Sequence, residues 1–274
     1  MSGFLHTYAE AGFDLQAPMA AAVIMPTTLR SSIVEALRSI FRQTLQAPIH
    51  VLIGIDQALG DLELIEQACR GRPPHVVVQV LDPGYSTSVR HGGLHPARDG
   101  GVLRCVLSYL ANSPYVAYLD DDNWWAPEHL AQLLGVLQAS DAAYDYAYSY
   151  RMFVHPRSLR PICIDEWESV GVGRGVFKAA RNGFVDPNCL MLDKRRCADA
   201  LPAWTMPLPG DTKAMSADRM VFDMLQRHHA GASTGQASCY YRLDPTDGLQ
   251  AMRMSLFGAK YDQAALFGDH GDGA

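Results

Sequence analysis

Tyr115-Val-Ala-Tyr-Leu119 runs directly into Asp120-Asp121-Asp122-Asn123, with Trp124, Trp125 and Pro127 close behind. A run of β-branched, aromatic and small apolar residues reads as a buried strand. Three carboxylates stand at its C-terminal end, the end at which open α/β sheets bind ligands. Packing gives no reason for three adjacent acids. Like charges about 4 Å apart repel by roughly 1 kcal/mol in water and about 4 kcal/mol at an effective dielectric near 20. A divalent cation removes that cost, and Mg²⁺ or Mn²⁺ prefers such hard oxygen ligands. The other reading is a solvated turn that opens the next helix, with Asp122 or Asn123 as its cap.

Upstream, Ala21-Ala-Val-Ile-Met25 reads as a first buried strand ended by Pro26-Thr27-Thr28. Ser32-Ile-Val-Glu35 has capping-box spacing, and Ile33, Leu37, Ile40 and Phe41 follow at helical intervals. His50–Ile55 is a second strand ending on Asp56, Leu62 to Ala68 a helix, and Val76–Val80 a third strand. This alternation calls for a parallel sheet with right-handed crossovers, in which Tyr115–Leu119 is the fourth strand. Residues 82–101 hold Gly84, Gly92, Gly93, Gly100 and Gly101 with Pro83, Pro96, Arg90 and Arg98, the composition of a long surface loop. Val102 to Leu110 restarts a helix. Downstream, Pro127 is placed to open another, with Leu130, Leu133, Leu134 and Leu137 inward.

The second half is less regular. Tyr144–Val154 and Phe184–Leu192 read as strands, residues 155–182 as an irregular segment, and Met206–Met215 as a Pro/Gly loop. Ser216-Ala-Asp-Arg219 opens a helix, and Tyr240-Tyr-Arg242 ends a short strand. The expected organisation is an arm over residues 1–20, one domain over 21–243, and a partly disordered tail over 244–274.

The chain's 274 residues suffice for one large α/β domain. A net charge of −6 argues against nucleic acid as a partner, although a few local arginines serve a phosphate-bearing small ligand. No apolar run approaches the roughly 18 to 20 residues of a membrane span. The N-terminus lacks a basic n-region, and Glu10 and Asp14 interrupt its apolar residues, so no signal peptide is expected. Six scattered cysteines without a Cys-x-x-Cys pair fit reduced, structural thiols in a cytoplasmic protein, with peripheral docking at a membrane left open.

The first strand ends in Met-Pro-Thr-Thr, so neither a Gly-x-Gly-x-x-Gly dinucleotide site nor a phosphate-binding P-loop is supported. The arrangement resembles the family-2 glycosyltransferases of the GT-A fold, over about residues 21–243. The resemblance is carried by Val23-Ile-Met-Pro-Thr27, by Asp56 at the end of the second strand and by Ala97-Arg-Asp-Gly-Gly101. Its most specific part is Leu119-Asp-Asp-Asp-Asn-Trp-Trp-Ala-Pro127, which contains the Asp-x-Asp motif. It implies a Rossmann-like, mostly parallel sheet flanked by helices, with 21–140 as the nucleotide-sugar-binding half and 141–243 as a less regular acceptor-binding half.

It also implies roles. Pro26 and Thr27 belong to the donor site, and Asp56 recognises the nucleotide base. Asp122, with Asp120, ligates a Mn²⁺ or Mg²⁺ that bridges the diphosphate. Asp120 or Asp121 touches the ribose or the metal's waters. Arg98 meets the phosphates or forms an intra-loop salt bridge. An inverting transfer needs a base for the acceptor hydroxyl. Asp218 stands where the family has it, although an acid in a first helical turn is favoured by the macrodipole in any case. Asp186 is the next choice.

Trp125, Trp167 and Trp204 are either sugar-stacking faces or packing residues. His228-His229 reads as a cation at a helix end or a surface pair, and Arg242 as a possible phosphate contact. The expected activity is sugar transfer from a UDP-sugar to a saccharide or other hydroxyl acceptor. The alternatives are a nucleotidyltransferase on a related scaffold and a non-catalytic nucleotide-sugar binder.

Overall fold

Ala21–Thr27 and Ile49–Ile55 are buried at every position, as strands covered on both faces must be. The computed structural model describes residues 5–97, 100–139, 144–206 and 217–257. In chain order its first half runs β1 (Leu5–Tyr8), β2 (Ala21–Thr27), α1 (Ile33–Phe41), β3 (Ile49–Ile55), α2 (Glu63–Cys69), β4 (Val76–Leu81), α3 (Gly101–Leu110), β5 (Tyr115–Tyr118), β6 (Trp124–Trp125) and α4 (His129–Gln138). The second half runs β7 (Tyr146–Val154), β8 (Pro161–Ile164), β9 (Gly171–Val172), α5 (Lys178–Arg181), β10 (Gly183–Phe184), β11 (Leu190–Asp193), α6 (Ala217–His228), β12 (Gly231–Arg242) and α7 (Gln250–Phe257).

One ten-stranded sheet has the order β1-β4-β3-β2-β5-β11-β7-β12-β6, with β8 on β7. Its core, β4-β3-β2-β5, is parallel. β1 joins β4 antiparallel, and β11 is antiparallel to both β5 and β7. β12 runs parallel to β7, and β6 returns antiparallel to β12. α3 packs on β2 and β3, while α4 covers β7 and β12. Among the described residues, no helix is long and apolar enough to cross a membrane.

Pro26 lies in a central strand, where a missing N–H is normally costly. The β2–β5 ladder ends at Ile24–Tyr118. Pro26 has the strand parity of Ile24, so its nitrogen faces the side on which pairing has already stopped. The β2 end is thereby left open.

Four expectations are corrected. Residues 5–8, read as part of an arm, form β1; its half-exposed alternation on a sheet edge leaves no apolar run to recognise. Gln250–Phe257, read as tail, is a helix whose Met254 and Phe257 pack with Phe153 and Leu243. The strand expected over 184–192 is broken by a 3₁₀ turn at Pro187–Cys189, with Asp186 as its cap. Pro127 sits in the turn before α4, where His129 N donates to Ala126 O at 3.1 Å. The Met206–Met215 loop lies, beyond Met206, outside the described residues.

Candidate active site

The turn after β5 is fixed at both ends. Leu119 N donates to Ile24 O at 3.0 Å, and Asn123 N to Asp120 O at 3.2 Å. Between them the three carboxylates fan apart. Asp121 is buried and accepts from Thr27 Oγ1 at 2.6 Å and from Arg30 Nε at 2.9 Å. Asp122 is partly open and accepts from Arg30 Nη1 at 2.9 Å. Asp120 pairs with Arg104 and accepts from Asn188 Nδ2 at 2.8 Å.

Thr27 sets Arg30 in place. Its hydroxyl also accepts from Leu29 N at 2.8 Å, and Leu29 takes a left-handed backbone at φ 62° with its side chain buried. The chain thus bends sharply after β2 and aims Arg30 at the acidic turn. Arg104 comes from α3, which begins at Gly100 (φ 70°) and Gly101. A Cβ on Gly100 would lie 2.5 Å from Pro26 Cβ, so a glycine is required for the helix to start this close to β2.

These groups open on a cleft of about 590 Å³ whose walls include Pro26, Thr27, Asp56 and the Asp120–Asp122 turn. Among the described residues, six carboxylates and four guanidinium groups line it, a formal surplus of two negative charges. Burial, reinforced by Asp120 and Asp121 and opposed by Arg30, pushes the Asp122 carboxyl up to about 6. A diphosphate entering such a cleft adds negative charge, which a cation arriving with it would offset. Among the described residues no three His, Cys, Asp or Glu side chains converge as a metal site. Mg²⁺-type sites, however, keep several waters and take one or two carboxylates plus substrate phosphates. The hard oxygen donors and the charge surplus fit a divalent cation held that way at Asp122 and Asp120.

Asp56 is buried at the end of β3 and accepts from Thr87 N at 2.9 Å, Thr87 Oγ1 at 2.7 Å and Ser86 Oγ at 3.2 Å. It therefore fastens the glycine-rich loop over the cleft. Arg98 lies outside the described residues.

Asp218 stands on the first turn of α6, with Arg219 N donating to its Oδ1 at 2.8 Å. It is not part of the cleft wall around the acidic turn. Burial pushes its carboxyl up to about 6; Asp186 adds to the rise, while Arg219 and Arg104 oppose it. Asp186 and Arg104 also flank Asp120, so Asp218 shares the electrostatic surroundings of that corner. Asp186 has both carboxylate oxygens engaged. One of its oxygens accepts from Arg151 Nη1 at 2.6 Å, the other from Asn188 N at 2.9 Å and Nδ2 at 2.7 Å.

The tryptophans serve packing. Trp125 is buried, stacks on His129 at 4.3 Å and donates to Asn188 O at 2.8 Å. Trp204 is buried beneath Arg104, and Trp167 packs on Phe257 at 5.7 Å. His229 bonds to Asp199 at 2.9 Å and is not among the cleft residues. Arg242 does line the cleft, with its backbone N donating to Asn123 Oδ1 at 2.9 Å. The sequence reading missed Arg104 and Asn188. Arg104 had one signal: a charge on the α3 face that also carries Gly101 and Ser108, both buried.

No protein-family model matches this chain, and no curated protein resembles it significantly in sequence. Solved structures do resemble it. TarS of S. aureus superposes over 90% of the chain at 15% identity and a TM-score of 0.59. The fold is that of the GT-A glycosyltransferases. TarS 1–349 in complex with UDP-GlcNAc matches over 85% of the chain at 15% identity, with a TM-score of 0.57. The mannosyltransferase PcManGT of Pyrobaculum calidifontis, in complex with GDP-Man and Mn²⁺, matches over 86% at 14% identity, with a TM-score of 0.53. This GT-A chain spans 41% of TarS, 61% of the TarS 1–349 complex and 60% of PcManGT.

Proposed function

We propose that this chain is an inverting glycosyltransferase of the family-2 type, moving a sugar from a nucleotide-sugar, first of all a UDP-sugar, to an acceptor hydroxyl. The observation that carries the reading is the acidic turn at the end of β5, opening on a cleft with surplus negative charge. The fold supports it: structures that share it hold UDP-GlcNAc or GDP-Man with Mn²⁺.

In this reading Pro26 and Thr27 form the wall under the donor, and Asp56 with its Ser86–Thr87 loop forms the base end. Arg30 and Arg104 face the diphosphate, and Arg98 is assigned a phosphate contact on its sequence motif alone. Asp122 and Asp120 would hold Mn²⁺ or Mg²⁺, which when bound neutralises charge on the departing diphosphate. Asp218 takes the acceptor's proton as the hydroxyl oxygen bonds to the anomeric carbon. The bond from that carbon to the diphosphate breaks on the opposite face, and its electron pair leaves with the nucleotide. A carboxyl near 6 is ionised at neutral pH yet basic enough to accept that proton.

Two measurements test this. Calorimetric titration with UDP should show affinity that rises with Mn²⁺ and loses that dependence in Asp122→Ala. Equal binding with and without the ion removes the metal role. Asp218→Asn should keep UDP binding and lower transfer about 10²- to 10⁴-fold, read as nucleotide release from a UDP-sugar panel. Unchanged turnover removes Asp218 as the base, and binding without transfer in the wild type leaves a nucleotide-sugar binder.

A further inference from the structure

Asn188 sits on the 3₁₀ turn that splits the strand expected over 184–192, and it is 1% exposed. Its side-chain oxygen accepts from the backbone N–H of Asp120 at 2.7 Å. Its amide nitrogen donates to Asp120 Oδ2 at 2.8 Å and to Asp186 Oδ1 at 2.7 Å. The opposite orientation of the amide would set its oxygen against two carboxylates, so the network fixes which atom is which. One side chain thus holds Asp120 by main chain and carboxylate together. Its own backbone oxygen receives Trp125 Nε1, which ties the far end of the acidic turn to the same point.

The clamp is anchored from behind. Asp186 is fixed by Arg151, a buried guanidinium that also reaches Asp165 at 2.7 Å and Glu168 at 2.5 Å. Glu168 is gripped by Arg253, whose Nη1 donates at 2.7 Å to Asp247, another residue of the cleft wall. Ion pairs therefore link Asp186 through Arg151, Glu168 and Arg253 to Asp247, which also lines the cleft.

We propose that Asn188 is a positioning residue for the acidic turn: by clamping Asp120 to the Asp186–Arg151 cluster, it holds the turn in the arrangement that binds the nucleotide diphosphate and its cation. The inference rests on the nucleotide-sugar reading of the cleft. Only asparagine suits the place. Aspartate has the shape but no donor for two carboxylates, and glutamine is one methylene too long for a filled pocket.

The test compares wild type, Asn188→Asp and Asn188→Ala in the full chain by titration with UDP and Mn²⁺, beside melting curves. Both variants should bind UDP about 10- to 100-fold more weakly in the presence of Mn²⁺, the range for partners that orient a metal's ligands. Their UDP affinity without the ion should change far less. That split is what a merely structural role would not produce. Should Asn188→Asp fail to fold, Asn188→Ala alone carries the comparison. A folded variant with wild-type affinity overturns the positioning role and leaves the function standing. A wild type that binds no nucleoside diphosphate overturns both.

Discussion

The sheet's two halves are held by different forces. From β2 to β4 the interior is aliphatic, with Val23, Ile24, Val51, Ile53, Val78 and Val80 fully buried. From β7 to α7 the apolar interior, with Leu190, Val221 and Phe222 buried, also encloses an ionic cluster. Arg151 and Arg253 are both buried, stacked by Phe153 and Tyr241 and surrounded by Asp165, Glu168, Asp186 and Asp247. Aliphatic packing tolerates small volume changes. A buried ion cluster does not tolerate the loss of one member, because the remaining charges stay desolvated. The aliphatic half can vary gently, whereas the ion cluster behind Asp120 stands or falls as a unit.

The largest expected effect is Arg151→Met, which leaves three buried carboxylates without their shared cation. It should cost about 3–5 kcal/mol in chemical denaturation. A loss under about 1 kcal/mol would mean that the cluster is hydrated in solution and that the contrast is false. Ile53→Val, in the aliphatic half, should cost about 0.5–1.5 kcal/mol and leave UDP affinity unchanged.

The smallest effect is in pH. Asp122 and Asp218 are raised to about 6 in the folded chain, above the ordinary value of 3.8. Between pH 7 and about 5 the folded state therefore binds more protons than the unfolded one, and the melting temperature should rise as pH falls. Asp165 has the opposite sign. Although burial opposes it, Arg151 and three backbone N–H groups hold its carboxyl below the usual range. Its contribution is present above the ordinary carboxylate value and lost as pH falls through the lowered one. Stability should thus pass through a maximum in mild acid. Burial also raises the Asp186 carboxyl, so in Asp122→Asn/Asp218→Asn the rise between pH 7 and 5 should shrink to what Asp186 leaves while the acid loss remains; an undiminished rise would mean that neither Asp122 nor Asp218 causes it.

The same contrast explains what was legible in the sequence. Strands such as Ala21–Thr27 announce themselves by composition, and Asp120–Asp122 stands out because adjacent like charges need a reason. The ionic half has no period. Arg151 lies inside a run of aromatic residues, and its partners come from positions 165, 168 and 186. Asn188 looks like a turn residue after a proline until the fold carries it 68 positions back to Asp120. Asp186 and Asp218 were both plausible bases on local grounds. What the sequence does not show is that both oxygens of Asp186 are taken by Arg151 and Asn188. β1 and α7 were missed because each is short and is stabilised by what it docks against.

Helix α7 follows the last strand that the resemblance covers, yet Arg253 enters the interior from it. A chain shortened to end at Arg242 would keep every strand and lose one of the two counterions of Glu168. It would also uncover Phe153, which stacks on Phe257 at 5.5 Å. The interior therefore depends on a segment beyond the last strand, which supplies both a buried cation and an apolar cover.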